Sequence, residues 1–126
     1  MIQEDVEAGL IRSYVAQTHL IIAIQRSQAD MNSTRTTLSG VLLRCLDYFA
    51  LTAREEMNVI KRDLYRQRIR IEDAVAARTS GLFEYRCRDR VDTVELRRDE
   101  IQAEVSARMA RYMQAVSASF RGKQRA

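Results

Sequence analysis

Arginine supplies nearly all the positive charge of this 126-residue chain, with Lys61 and Lys123 the only lysines. One stretch collects Arg66, Arg68 and Arg70 and then Arg86, Arg88 and Arg90. Guanidinium forks in a cluster suit carboxylate or phosphate, because each can donate two parallel hydrogen bonds. Their spacing suggests how they gather. Ile69 and Ile71 alternate with Arg68 and Arg70, and Phe83, Tyr85 and Cys87 alternate with Glu84, Arg86 and Arg88. A period of two puts Arg68, Arg70, Arg86 and Arg88 on one face of a β-hairpin around Thr79-Ser80-Gly81, with the rings and the thiol on the other. Arg66 and Arg90 flank that face, and Glu72 and Glu84 are available as cross-strand partners. The chemistry on offer is recognition of an anion, or simply the solvation of a sheet edge.

Bond-making chemistry finds less support. His19 is the only histidine, it lies beside an apolar stripe, and the residues three or four positions away offer it no second metal ligand. Cys45 and Cys87 lack metal spacing and read as buried free thiols. Cys87 stands between Arg86 and Arg88, a setting that would activate a thiol in a loop, but on a strand those arginines point to the opposite face. Glu55-Glu56 and Asp99-Glu100 are sequence neighbours that diverge by about 100° on a helix, so they do not converge as a catalytic dyad. Gly9, Gly40, Gly81 and Gly122 are isolated, so no phosphate-cradling loop exists. The expectation is a protein that is not an enzyme and uses no cofactor and no metal.

The elements that must position the arginines are helical. Val6, Leu10, Tyr14, Thr18 and Ile21, widened by Ile11, Val15, Ile22 and Ile24, predict a helix over residues 4–31. Asn32-Ser33-Thr34 supplies a break and possible caps. Leu38, Leu42, Leu46, Phe49, Ala53, Met57, Ile60 and Leu64 predict a second helix over 36–67. Val41, Leu43 and Cys45 thicken its first half, which is therefore expected to be the more deeply buried half. Val94, Ile101, Val105, Met109, Tyr112 and Val116 predict a third, starting near Asp92 or Thr93 and ending near Ser119. Residues 68–81 admit two readings: a strand leading into the hairpin, or a prolonged second helix that carries the alanines of 74–77 and ends on Gly81. The alternation at 83–88 favours the hairpin. The fold class expected is mainly α, three amphipathic helices with a small β-hairpin at about 68–88 between the second and third, as one domain over 1–120. Residues 121–126 form a frayed basic tail.

The run Ile69-x-Ile71, then Tyr85-x-Cys87-Arg88, then Glu104, Arg108, Arg111 and Tyr112 on an amphipathic helix, resembles small uncharacterised proteins of Gram-positive bacteria and their prophages or mobile elements. The likeness covers the C-terminal half and departs where Asp89 and Arg90 stand in place of a Gly-Tyr pair. It implies the hairpin and a bacterial or phage origin, and no activity.

The chain holds no proline, which favours long uninterrupted helices. Its formal net charge of +4 is mild, so it assists an encounter with an acidic partner without demanding nucleic acid. The acidic start of the chain is unlike a signal peptide, and the run Leu20 to Ile24 is too short to cross a bilayer. A cytoplasmic, regulatory adaptor is the expected function, acting through protein–protein contacts and forming a homodimer over apolar stripes that one domain cannot cover. The alternative is a nucleic-acid-binding accessory protein using Arg66, Arg68, Arg70, Arg86, Arg88, Arg90 and the basic tail. No membrane partner is expected.

Overall fold

Without proline to interrupt it, the first apolar period runs on as one helix, α1 (Ile2–Ser33), in the computed structural model, which describes residues 2–34, 36–71 and 82–124. Ile11, Val15, Leu20 and Ile24 are fully buried along it, while Val6 at its start is half exposed. The buried stripe is thus rotated from the Val6–Leu10–Tyr14 line that spacing suggested.

The second helix, α2 (Thr37–Arg66), begins at a capping box. The Thr36 hydroxyl accepts from the Ser39 N–H at 3.1 Å, and the Ser39 hydroxyl accepts from the Thr36 N–H at 2.9 Å. Two otherwise orphaned donors are satisfied there, so the cap is Thr36 rather than Asn32, Ser33 or Thr34. α2 ends on Gln67, followed by Arg68 at φ 56°, whose N–H bonds the Tyr65 carbonyl at 3.0 Å. The helix therefore stops before Arg68, and the chain leaves it directly into a strand.

That strand, β1 (Ile69–Ile71), pairs antiparallel with β2 (Leu82–Cys87), so the expected hairpin pairing is present between the second and third helices. The turn at Thr79-Ser80-Gly81 and the alanines of 74–77 lie outside the described residues. A further strand, β3 (Arg90–Glu95), occupies the place where spacing had started the third helix, giving a three-stranded sheet in the order β1-β2-β3. Val91, Thr93 and Val94 are β-branched and fit a pleated surface, and the free edge of β2 is satisfied by pairing with them. Asp92 does accept from the next backbone N–H, that of Thr93, at 2.8 Å, but it does so within a strand and caps no helix. The third helix, α3 (Arg98–Gln124), starts six residues beyond Asp92, with Asp99 and Glu100 in its first turn, where negative charge meets the helix dipole favourably. Its backbone remains helical through Gln124, so most of the supposed frayed tail belongs to the helix.

Among the described residues the core has two apolar clusters. One joins Ile11, Val15, Leu64, Ile69, Tyr85, Cys87 and Leu96 under the sheet. The other joins Leu20, Ile24, Phe49, Ala53 and Tyr112 where the three helices meet. Gln17, fully buried on α1, lies between them in the chain and ties the helices together. Its amide nitrogen donates to the Ala53 carbonyl at 2.8 Å and to the Tyr112 hydroxyl at 3.1 Å, and its oxygen accepts from Arg108 Nη1 at 2.7 Å. Leu38, Val41, Leu42, Tyr48 and Leu51, in contrast, are exposed. The first half of α2, expected to be the deeper one, is the half with more apolar surface left open. None of the described helices is long and apolar enough to cross a membrane.

Candidate functional site

The strand register decides which arginines come together. Ile69 faces Cys87 and Ile71 faces Tyr85 across the sheet, which turns those side chains toward α1 and leaves Arg70 directly opposite Arg86. Both arginines are exposed. The expected cross-strand Arg–Glu pairing is absent at this position, and Glu84 stands opposite Thr93 instead. Glu72 lies outside the described residues. Two like charges set face to face on neighbouring strands weaken the sheet slightly.

Arg68 and Arg88 extend this cluster at the end of the sheet. The Arg88 N–H donates to the Arg68 carbonyl at 3.1 Å, continuing the β1–β2 ladder by one bond. Both residues have positive φ, 56° for Arg68 and 61° for Arg88, and they are the only described non-glycine residues that do. Arg68 holds the left-handed position that closes a helix, and Arg88 is the first of two residues in the β2–β3 turn, where a positive φ lets the strands reverse tightly. Glycine is the ordinary occupant of both places because a Cβ there costs about 1–2 kcal/mol. Arg66, exposed in the last turn of α2, adds its charge nearby, one residue after Tyr65, which is 84% exposed.

Arg90 departs from this group. It falls on the opposite face of the sheet, aligned with Cys87, and its guanidinium donates to Glu7 Oε2 at 2.5 Å. Glu7, nearly buried on α1, also accepts from the Tyr85 hydroxyl at 3.3 Å and the Cys87 thiol at 3.2 Å. Burial, then Asp92 and Glu7, pushes Tyr85 up to about 12. Burial first, then the hydrogen bond to Glu7, also raises Cys87, so its thiol stays protonated despite the arginines beside it in sequence. Cys87 is thus a core residue, and Cys45 is a second free thiol, packed against the other cluster.

The remaining residues of the C-terminal pattern hold helices together. Arg111 donates through one nitrogen, Nη2, to both carboxylate oxygens of Glu56, at 3.0 and 2.7 Å, and its guanidinium lies over the Tyr112 ring. Arg108 reaches Gln17 and lies 3.6 Å from Glu104. An open groove of about 540 Å³ between the helices is lined by these charges, with Ser13, Val59 and Ile60. Its two glutamates and two arginines pair with one another, Glu56 with Arg111 across it and Glu104 with Arg108 along α3, so it offers an incoming ion little net field. Among the described residues, no three His, Cys, Asp or Glu side chains converge as metal ligands.

Glu7 and Gln17, the two acceptors that organise the interior, were not singled out by spacing. A signal was present: Glu7 precedes Leu10, Ile11 and Tyr14 at helical steps, and Gln17 precedes Leu20 and Ile21, so each is a polar residue in apolar phase. Such a residue must find buried partners or cost the desolvation of its group.

Comparison with known proteins adds one match: a family model described as YhjD protein matches residues 1–117. No curated protein and no solved structure matches the chain.

Proposed function

The chain belongs to the YhjD protein family, and for this member we propose a non-enzymatic interaction role, in which Arg68, Arg70, Arg86 and Arg88 dock an acidic segment of a partner protein. The observation that carries the reading is the pair of left-handed arginines. Stability alone would favour glycine at both positions, and it would also favour an opposite charge or a neutral residue facing Arg86. Positive charge is kept at three places in one small patch against the fold's own preference, which is the pattern of a site held in strain for its use. Tyr65 and Val91, both more than half exposed, border the charge with apolar surface for a partner chain.

An acidic protein segment fits this patch better than a long polyanion does. Glu84 and Glu95 lie further along the same face of the sheet, and a nucleic-acid backbone crossing it would meet them. A short carboxylate-bearing peptide would not. Arg90 is excluded from the docking set because its charge is committed to Glu7, and Arg66 serves as a flanking charge. We place this activity in the cytoplasm, where Cys45 and Cys87 would ordinarily remain reduced.

The test is a fluorescence-anisotropy titration of a Glu/Asp-rich peptide, of duplex DNA and of single-stranded RNA, at low and physiological salt. The comparison protein carries Arg68, Arg70, Arg86 and Arg88 changed to Ala. The reading requires peptide binding that the variant loses by at least about tenfold, since each charge-assisted contact is worth roughly 1.5–3 kcal/mol. Tighter binding of DNA or RNA with a steep salt dependence would transfer the site to nucleic acid. No binding of any probe at low salt would end both readings.

A further inference from the structure

On the side of α2 turned away from the core, Val41, Arg44, Tyr48, Leu51, Glu55 and Asn58 recur at alternating steps of three and four residues. The buried Phe49, Ala53 and Met57 occupy the other side. Val41 is 54% exposed, Tyr48 46% and Leu51 58%, and Arg44, Glu55 and Asn58 are exposed as well. This alternation is the a/d spacing of a coiled-coil seam, with apolar residues at Val41, Tyr48 and Leu51 and charged or polar ones at Arg44, Glu55 and Asn58. Its charges are arranged in a particular way. One arginine and one glutamate stand symmetrically about the Tyr48–Leu51 pair, and neither makes an ion pair among the described residues.

We propose that this face of α2 pairs antiparallel with α2 of a second copy of the chain. About a two-fold axis midway between Phe49 and Ala50, Tyr48 of one copy meets Leu51 of the other, and Arg44 of each meets Glu55 of the other. Val41 then lies against the Asn58–Val59 end of the opposing helix. The interface is self-complementary, as a two-fold dimer requires: an apolar centre closed on both sides by an ion pair. A parallel pairing would set Arg44 against Arg44 and Glu55 against Glu55, so charge selects the antiparallel form. With 1.5 Å of rise per residue, the arginine patches at the C-terminal ends of the two α2 helices would lie about 50 Å apart. The dimer would thus present two docking sites at its extremes. The inference does not depend on what those sites bind.

Sedimentation equilibrium of the full chain from micromolar concentrations upward tests it. The expected mass is twice 14.6 kDa. Arg44→Glu should weaken the association at least about tenfold by placing glutamate against Glu55 on both sides of the axis. Glu55→Arg should do the same, and the double variant Arg44→Glu/Glu55→Arg should restore the dimer. Arg44 and Glu55 are both exposed, and circular dichroism of each variant checks that it is folded. A wild-type monomer throughout the range would overturn the proposal, as would single variants that dimerise unchanged or a double variant that fails to recover. Peptide binding through the arginine face is measured separately, so the failure of one proposal is distinguishable from failure of the other.

Discussion

Replacing Arg88 by glycine separates what the fold wants at that position from what function wants. Arg88 sits at φ 61° in a two-residue turn. A side chain in the left-handed region costs about 1–2 kcal/mol. Glycine removes that cost but loses about 0.5–1 kcal/mol more backbone freedom on folding. The net expectation is a gain of about 0.5–1 kcal/mol, or roughly 2–4 °C in melting temperature for a domain of this size. Arg88→Asn should fall between glycine and wild type, because asparagine tolerates the left-handed region better than most residues. Arg88→Ala should stay within about 0.5 kcal/mol of wild type, since alanine carries the same Cβ penalty. All three remove the charge, so all three should weaken acidic-peptide binding by a similar factor while their stabilities differ. Urea denaturation followed by circular dichroism, paired with the anisotropy titration, reads both quantities. A glycine variant less stable than wild type would refute the reasoning, because the Arg88 side chain would then be contributing more to the fold than its backbone costs.

Two further outcomes concern the buried acceptors. Glu7→Gln should destabilise the protein by about 1–3 kcal/mol at neutral pH by weakening the charge-assisted bond from Arg90 and the bonds from Tyr85 and Cys87. Folding raises Tyr85 from 10.0 to about 12, chiefly by burial, so the stability tied to its neutral phenol is fully present below pH 10 and is lost as pH climbs toward 12. Part of the rise comes from Glu7, so the variant's phenol titration at 295 nm should move downward, and an unmoved midpoint would contradict the Glu7–Tyr85 contact. Gln17→Leu should cost about 2–4 kcal/mol, because Arg108, Tyr112 and the Ala53 carbonyl all lose a buried partner. A neutral result in urea denaturation would show that water replaces the amide.

Much of this molecule is written in local pattern. The absence of proline and the three- and four-residue apolar steps determine three long helices. The alternation at 69–71 and 83–87 determines two strands and sends Tyr85 and Cys87 inward, because side-chain direction in a helix or a strand follows from the chain's own geometry. Other features depend on what lies opposite. Residues 90–95 become a strand because β2 presents an edge to pair with, although Asp92 and Thr93 could have capped a helix. Arg90 turns toward α1 because Glu7, more than eighty residues away in sequence, is buried there. The apolar first half of α2 stays open because burial depends on how many neighbouring elements reach a stripe and not on how apolar the stripe is. The left-handed backbone at Arg68 and Arg88 is likewise set by the tight exit from α2 and the tight β2–β3 turn. Arginine by type implies an ordinary right-handed or extended backbone at both positions, so only the tertiary structure could reveal that they are held left-handed.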